Sequence, residues 1–311
     1  MVPNHYYPVL RSAQLKSNPV PLKRFGARWV AWRDAEGGAH IMPAACPHRG
    51  ADLSQGSVQN GLLTCPWHGF RFDGSGSCRL APCEGADGRL PANLRSNPAP
   101  LQEQHGLLWM WHGAEPPGAA VPFFPEAEAP EDLASSSEAS YELPHHYSRM
   151  VETNLDIYHT PFVHRSVVPG VGPEVHDFEC SSEGSSIRSR GELRHPGRDS
   201  GMPFAADFLA PCLVRVSLTP KLHILTAATP VDENTSWLWF RYYQGYTRSR
   251  TLGRAITWLS VQSELRVVQK QDWRIFARMT PGPLEDAPHN LVRSDLAIAR
   301  YRQWRKQALH G

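Results

Sequence analysis

Long hydrophobic runs are missing from this chain of 311 residues. Its longest apolar stretches, such as Leu107-Leu108-Trp109-Met110-Trp111, fall far short of the roughly 20 residues of a membrane-spanning helix, so no membrane span is expected. The opening Met1-Val2-Pro3-Asn4-His5-Tyr6 has neither the basic segment nor the apolar core of a secretory signal, and a cytoplasmic location is the expectation. An excess of one charge is lacking too. The 32 Lys and Arg nearly balance the 30 Asp and Glu, leaving a formal charge of +2, so no broad footprint for nucleic acid or a membrane surface is present. Cysteines number only six and show no disulfide-framework spacing, as befits a reducing compartment. No glycine-rich dinucleotide fingerprint follows a strand pattern, so the chain does not bind NAD(P)H in that way itself. No internal repeat occurs. What is present suffices for about two globular domains: the length, and an apolar content of 41%.

The stretch Cys46–His68 organises the rest. It reads Cys46-Pro-His48, sixteen residues, then Cys65-Pro-Trp-His68. Two Cys-His pairs in this order suit a two-iron, two-sulfur core, in which thiolates hold one iron and imidazoles the other. Zinc in a Cys2His2 site is the alternative metal, but zinc fingers place Cys with Cys and His with His. A chance arrangement is disfavoured by Gly50, Pro66, Gly69 and the run Phe70-Arg71-Phe72-Asp73-Gly74, which also fit ligand loops. The stretch resembles a Rieske domain. Ala51 and Trp67 stand where the respiratory and photosynthetic members carry an additional cysteine pair, so the resemblance is to the soluble oxygenase and ferredoxin type. Cys78 and Cys83 read as packed thiols rather than ligands.

Along the chain, residues 1–20 read as a lead-in with a short amphipathic piece around Leu10–Leu15. Pro21–Trp32 reads as a strand or hairpin turning at Gly26, Gly61–Thr64 and Phe70–Phe72 as short strands, and Gly106–Trp111 as a buried closing strand. Residues 1–115 therefore form a small antiparallel β domain. Residues 116–138, rich in Pro and Ser, read as a linker. A second domain, 139–311, shows strand patterns at Tyr141–Met150, Ser186–Leu193, Leu213–Leu218, His223–Pro230 and Ser236–Gln244. Helices are expected over 251–279 and Ser294–Leu309. Pro196–Phe208 reads as a loop, plain or lid-forming.

Early in the second domain stands Asn154-Leu155-Asp156-Ile157-Tyr158-His159-Thr160-Pro161-Phe162-Val163-His164. Asp156 and His159 share a helix face, but His159 and His164, five apart, would diverge by roughly 140° on a regular helix. Pro161 breaks or kinks the helix and lets His164 swing back. Two helical histidines beside an incidental proline is the bland alternative. The third ligand is sought in the helix 251–279. Its apolar stripe runs Val261, Leu265, Val268, Ile275 or Phe276, and Met279, and Asp272 falls within it. A buried carboxylate needs a partner: an arginine such as Arg266 or Arg274, or a metal. Glu264 is the fallback ligand. Two His and one carboxylate make the facial site of non-haem Fe(II) oxygenases, and the Asp156 carboxylate is then free to accept the imidazole N–H of His159.

Taken together, these segments resemble the α-subunit of the Rieske non-haem iron oxygenases, nearest the single-component vanillate demethylase and pheophorbide a oxygenase-like group. The resemblance implies an α+β fold. It pairs an N-terminal antiparallel β Rieske domain with a catalytic domain of a helix-flanked antiparallel sheet, helix-grip or START-like. It implies one [2Fe-2S] cluster on Cys46, His48, Cys65 and His68, and one mononuclear Fe(II) on His159, His164 and Asp272. A head-to-tail homotrimer is implied, in which the cluster of one subunit reaches the iron of the next through Asp156. Also implied are a separate reductase or ferredoxin fed by NAD(P)H, dioxygen, and a small substrate. Phe162, Phe204, Phe208 and Leu209 suggest that the substrate is apolar or aromatic. Hydroxylation or oxidative demethylation is the expected outcome, with mono- or dioxygenase stoichiometry. Desaturation or cyclisation on the same triad is the alternative within the class. A pure Rieske electron carrier would leave the second domain with its His pair unexplained, and a binding or scaffold protein with a relic cluster would hold no mononuclear iron. Thr153 departs from the family, which often has Asn there; Asn154 is displaced by one.

Overall fold

The computed structural model describes residues 1–85, 88–118, 120–124, 135–219, 221–279 and 290–310. The chain divides into two compact units, Pro3–Val121 and Pro122–Gly311, with Met1–Val2 joining the second. Part of the expected linker, 125–134, lies outside the described residues.

Among its described residues the smaller unit holds ten short strands in three antiparallel sheets. The strands are β1 His5–Arg11, β2 Val20–Arg24, β3 Ala27–Arg33, β4 Ala39–Pro43, β5 Ser57–Gln59, β6 Leu62–Thr64, β7 Arg71–Phe72, β8 Cys78–Leu80, β9 Leu101–Gln104 and β10 Leu107–His112. The hairpin at Gly26 forms as its sequence suggests, with Arg24 paired to Ala27. The lead-in does not exist as such. β1 pairs with β10 from His5↔His112 to Arg11↔Leu107, and Tyr6 to Leu10 are buried. The aromatic and β-branched content of Tyr6-Tyr7-Pro8-Val9 favours a strand. Phe72, Leu63, Leu53, Val30 and Trp32 pack with Cys46 and Cys65 into the core beneath the two ligand loops. All six cysteines are free thiols, and Cys83 is exposed rather than packed.

The larger unit is one seven-stranded antiparallel sheet in the order β11-β17-β16-β15-β14-β13-β12. Its strands are β11 Ser137–Leu143, β12 Glu174–Glu183, β13 Ser186–Arg194, β14 Met202–Leu209, β15 Leu213–Thr219, β16 Leu222–Pro230 and β17 Ser236–Gln244. β17 is buried along its whole length. Among the described residues five helices accompany the sheet: α1 Tyr147–Leu155, α2 Thr160–Val163, α3 Arg250–Ser263, α4 Gln269–Phe276 and α5 Leu296–His310. α3 packs on β11 and β17, α1 crosses β14 to β16, and α5 lies on β12 and β13 and against α1. This is the helix-flanked antiparallel sheet of an α+β protein.

Three expectations need correction. The run Tyr141–Met150 is not one strand. β11 stops at Leu143, and His146 caps a new helix, its Nδ1 accepting from the Ser148 N–H at 3.3 Å. Residues 202–209 are a sheet strand rather than a loop, because Met202–Leu209 pairs on both sides. Its glycines and proline cluster before or at the strand's start, where they do not interrupt the ladder. The helix over 251–279 is interrupted by a π turn, Glu264–Val268. Within its stripe Val261 and Phe276 are buried, whereas Ile275 and Met279 are 50% and 42% exposed.

Candidate metal centres

The two Cys-His loops share one backbone design. Cys46 N–H donates to the Ala51 carbonyl and Gly50 N–H to the Cys46 carbonyl, both at 2.8 Å. Cys65 N–H donates to the Phe70 carbonyl at 2.8 Å and Gly69 N–H to the Cys65 carbonyl at 3.1 Å. Each loop closes on a glycine with positive φ, +77° at Gly50 and +70° at Gly69, a conformation costly for any residue with a Cβ. Within this common loop the histidine sits two residues after the first cysteine and three after the second. The two imidazoles meet edge to face, with centroids 4.9 Å apart. Phe70 stacks under His48 at 4.7 Å and Trp67 on His68 at 4.6 Å, with the Arg49 guanidinium 4.9 Å over the Trp67 ring.

Cys46 and Cys65 are 3% exposed and face each other. Burial pushes the Cys46 thiol up, opposed by the His48 and Arg49 backbone N–H groups and reinforced by the neighbouring Cys65. Two buried thiols side by side, with N–H groups aimed at the Cys46 sulfur, suit a metal that deprotonates them on binding. The four side chains do not converge on one point. Among the described residues, the group whose ligand atoms come within 4.8 Å of one another is His159, His164 and Asp272. A single zinc at the loops would demand such convergence. A two-iron core keeps the thiolate and imidazole pairs apart.

The second centre is built at a break between helices. α1 ends at Leu155, and Asp156, at φ −85° and ψ 83°, turns the chain while its N–H still bonds to the Glu152 carbonyl. Ile157–His159 forms a 3-10 turn and Thr160–Val163 a further helical turn. Pro161 is therefore not the breaker. It sits in the first turn of α2, where a missing N–H costs nothing, and the break falls five residues earlier.

The break brings His159 Nε2 to 3.1 Å from His164 Nε2. Asp272 Oδ1, from α4, lies 3.1 Å from His164 Nε2 and 3.9 Å from His159 Nε2. Donors at about 2.1 Å from one metal and at right angles lie about 3.0 Å apart; the two 3.1 Å pairs match this and the 3.9 Å pair is wider, so the three atoms can surround one ion. Both imidazoles have the tautomer such a site needs. His159 Nδ1–H donates to the backbone carbonyl of Asp156. His164 Nδ1–H donates to Gln271 Oε1 at 2.9 Å, and Gln271 Nε2 donates in turn to Ser166 Oγ at 2.8 Å. This frees Nε2 on both rings. The expected Asp156 carboxylate partner is thus replaced by the Asp156 carbonyl. The carboxylate lies 3.8 Å from His159 Nδ1, and its Oδ1 is buried without a partner. Burial opposes charge on His164, but the hydrogen bond and charge of Asp272 raise its pKa.

A cavity of about 320 Å³ opens onto this triad. The face of the sheet forms one wall: Tyr141, Val216, Ile224, Leu238, Phe240 and Tyr242. Met150, Ile157, Val167 and Val168 line it from the helical side, with Asn154, whose Nδ2 donates to the Met150 carbonyl at 2.7 Å. Glu264 and Val268 of the π turn complete the wall beside Asp272. Burial raises the Glu264 carboxyl to about 7; the Tyr242 O–H, donating at 2.8 Å, opposes the rise and Asp272 adds to it. The expected substrate-facing residues are elsewhere. Phe162 is 66% exposed, Phe204 and Phe208 belong to the core, and Leu209 does not line the cavity. The sequence by itself does not single out Gln271 or Tyr242. Only adjacency to Asp272 marks the former, and strand alternation with Leu238 and Phe240 the latter.

The profile of the Rieske [2Fe-2S] domain matches residues 5–98, and that of the vanillate O-demethylase oxygenase C-terminal domain matches 144–311. Chlorophyllide a oxygenase of Chlamydomonas reinhardtii is 35% identical over 164 residues, 52% of this chain and 24% of that protein. The 4β-methylsterol monooxygenase of Methylococcus capsulatus is 31% identical over 274 residues, 84% of this chain and 64% of that protein. The chain thus spans less than two thirds of either relative. The crystal structure of dicamba monooxygenase bound to dicamba superposes with a TM-score of 0.76 at 19% identity, covering 100% of this chain and 98% of that one. No helix among the described residues is long and apolar enough to cross a membrane.

Proposed function

The chain belongs to the Rieske non-haem iron oxygenases, with a C-terminal domain of the vanillate O-demethylase type, and from that premise we propose that it is the oxygenase component of an electron-transfer system acting on a small apolar or aromatic molecule. Cys46, His48, Cys65 and His68 hold the [2Fe-2S] cluster, and His159, His164 and Asp272 hold the mononuclear iron. The observation that carries this reading is the triad itself, three ligand atoms spaced for one ion at the end of a largely apolar cavity. When bound, the iron supplies the activation of dioxygen. The protein's own residues do the rest. The Asp156 carbonyl and Gln271 fix the imidazoles, and the apolar walls exclude water and place the substrate. The unpartnered Asp156 carboxylate oxygen is the group through which an electron donor couples to His159. That donor is the cluster of a neighbouring subunit in a homotrimer, itself reduced by a separate NAD(P)H-dependent reductase or ferredoxin.

The test is His159→Ala. The variant should keep the two cluster irons and their spectrum, lose the mononuclear iron by elemental analysis, and show no substrate-dependent dioxygen uptake with a generic reductase. Undiminished uptake would remove the assignment.

A further inference from the structure

The cavity over the triad is chemically lopsided. Among the described residues lining it there is no Lys or Arg, while two carboxylates, Glu264 and Asp272, reach it. Asp272 faces the two histidines. Glu264 does not belong to the triad. It projects from the π turn, a distortion that recurs at functional sites, and Tyr242 O–H donates to its Oε2 at 2.8 Å. No donor among the described residues reaches its Oε1, and Glu264 is one of the residues lining the cavity. Tyr242 itself is 6% exposed and fixed in β17. A fixed acceptor, pre-oriented by a buried phenol in an otherwise apolar wall, is the arrangement that orients a ligand through one polar group.

We propose that Glu264, held by Tyr242, is a specificity-determining residue that admits uncharged apolar substrates bearing one hydroxyl or N–H donor and refuses carboxylates. A donor on the substrate completes the open acceptor site of Glu264 Oε1. A substrate carboxylate would be buried without a guanidinium or ammonium partner and beside a second carboxylate, which is strongly unfavourable. A substrate without a donor leaves a buried acceptor unsatisfied. Catalysis and selection are thereby divided along one helix: Asp272 serves the metal, and Glu264, eight residues earlier, reads the substrate's polar end.

This inference rests on the cavity being the substrate site of the proposed oxygenase, and the experiment separates the two. Binding of 2-naphthol, 2-methoxynaphthalene and 2-naphthoate to the oxidised holoenzyme is measured by calorimetry without turnover, with iron content determined on the same preparation. At pH 8.5, above the pKa of about 7 to which burial raises the Glu264 carboxyl, the wild type should bind 2-naphthol at least about tenfold more tightly than the other two, as a hydrogen bond to a charged group provides. Glu264→Gln should bring 2-naphthoate to within about threefold of 2-naphthol, and Tyr242→Phe should shrink the preference for naphthol with the fold and cluster spectrum intact. Naphthoate binding the wild type as tightly as naphthol, an unchanged order in Glu264→Gln, or failure of all three to bind overturns the assignment. Iron missing from a preparation that keeps the binding order would instead overturn the oxygenase reading and leave the anchor standing.

Discussion

At the scale of single residues, the mononuclear centre is a problem of orientation more than of identity. A histidine ligates only if the right nitrogen carries the lone pair, and here a backbone carbonyl and a glutamine decide that. Gln271 is the partner open to mutation. Gln271→Leu should weaken iron binding about 10- to 100-fold, measured by chelator competition, with the cluster's absorption unchanged. His146 offers a second prediction. Burial, with Arg305 adding to it, lowers its pKa from 6.5 to about 3, so the neutral imidazole caps α1. A depressed pKa in the folded state means that stability is complete above 6.5 and is lost as pH falls toward 3, since the unfolded chain takes the proton more readily. Between pH 7 and pH 5 this contributes a loss of about 2 kcal/mol. Denaturant unfolding of wild type beside His146→Asn, which keeps an acceptor but does not titrate, should show the steeper acid decline only in the wild type.

At the scale of elements, two irregularities make the site. The first is the turn at Asp156 that separates α1 from α2. Because Pro161 lies inside the first turn of α2 and breaks nothing, Pro161→Ala should change iron affinity by no more than about threefold, the cost of altering a helix-starting proline being small. A loss comparable to that of His164→Ala would return the kink to Pro161. The second irregularity is the π turn. It winds fewer degrees per residue than an α-helix, so Glu264, Val268 and Asp272, spaced by four, fall closer to one line and all reach the cavity. The Cys-His loops show the same lesson from the other side. Their glycines and their cysteine spacing fix the turn so tightly that the two hairpin loops repeat each other's hydrogen bonds.

At the scale of the whole molecule, the fold gives each kind of iron its own unit, a small β unit for the cluster and a large sheet-and-helix unit for the triad. The proposed relay between subunits makes a direct prediction. Cys46→Ser and His159→Ala homo-oligomers should each be inactive, whereas oligomers mixed by coexpression should recover dioxygen uptake, since an intact cluster then neighbours an intact triad. Mixed oligomers as inactive as their parents would place electron flow within one chain.

The candidate ligands and their spacing can be read without coordinates because they are local. Cys46-Pro-His48, Cys65-Pro-Trp-His68 and a carboxylate within an apolar helical stripe each express a constraint on a few neighbouring residues. The aromatic-rich strand Ser236–Gln244, buried along its whole length, can be read for the same reason. Tertiary structure alone decided the rest: that residues 5–11 pair with β10, that the helix breaks at Asp156, that Gln271 serves His164, and which side chains line the cavity. Those outcomes depend on what lies across a gap from each residue, and periodicity along one segment carries no information about its partner on another.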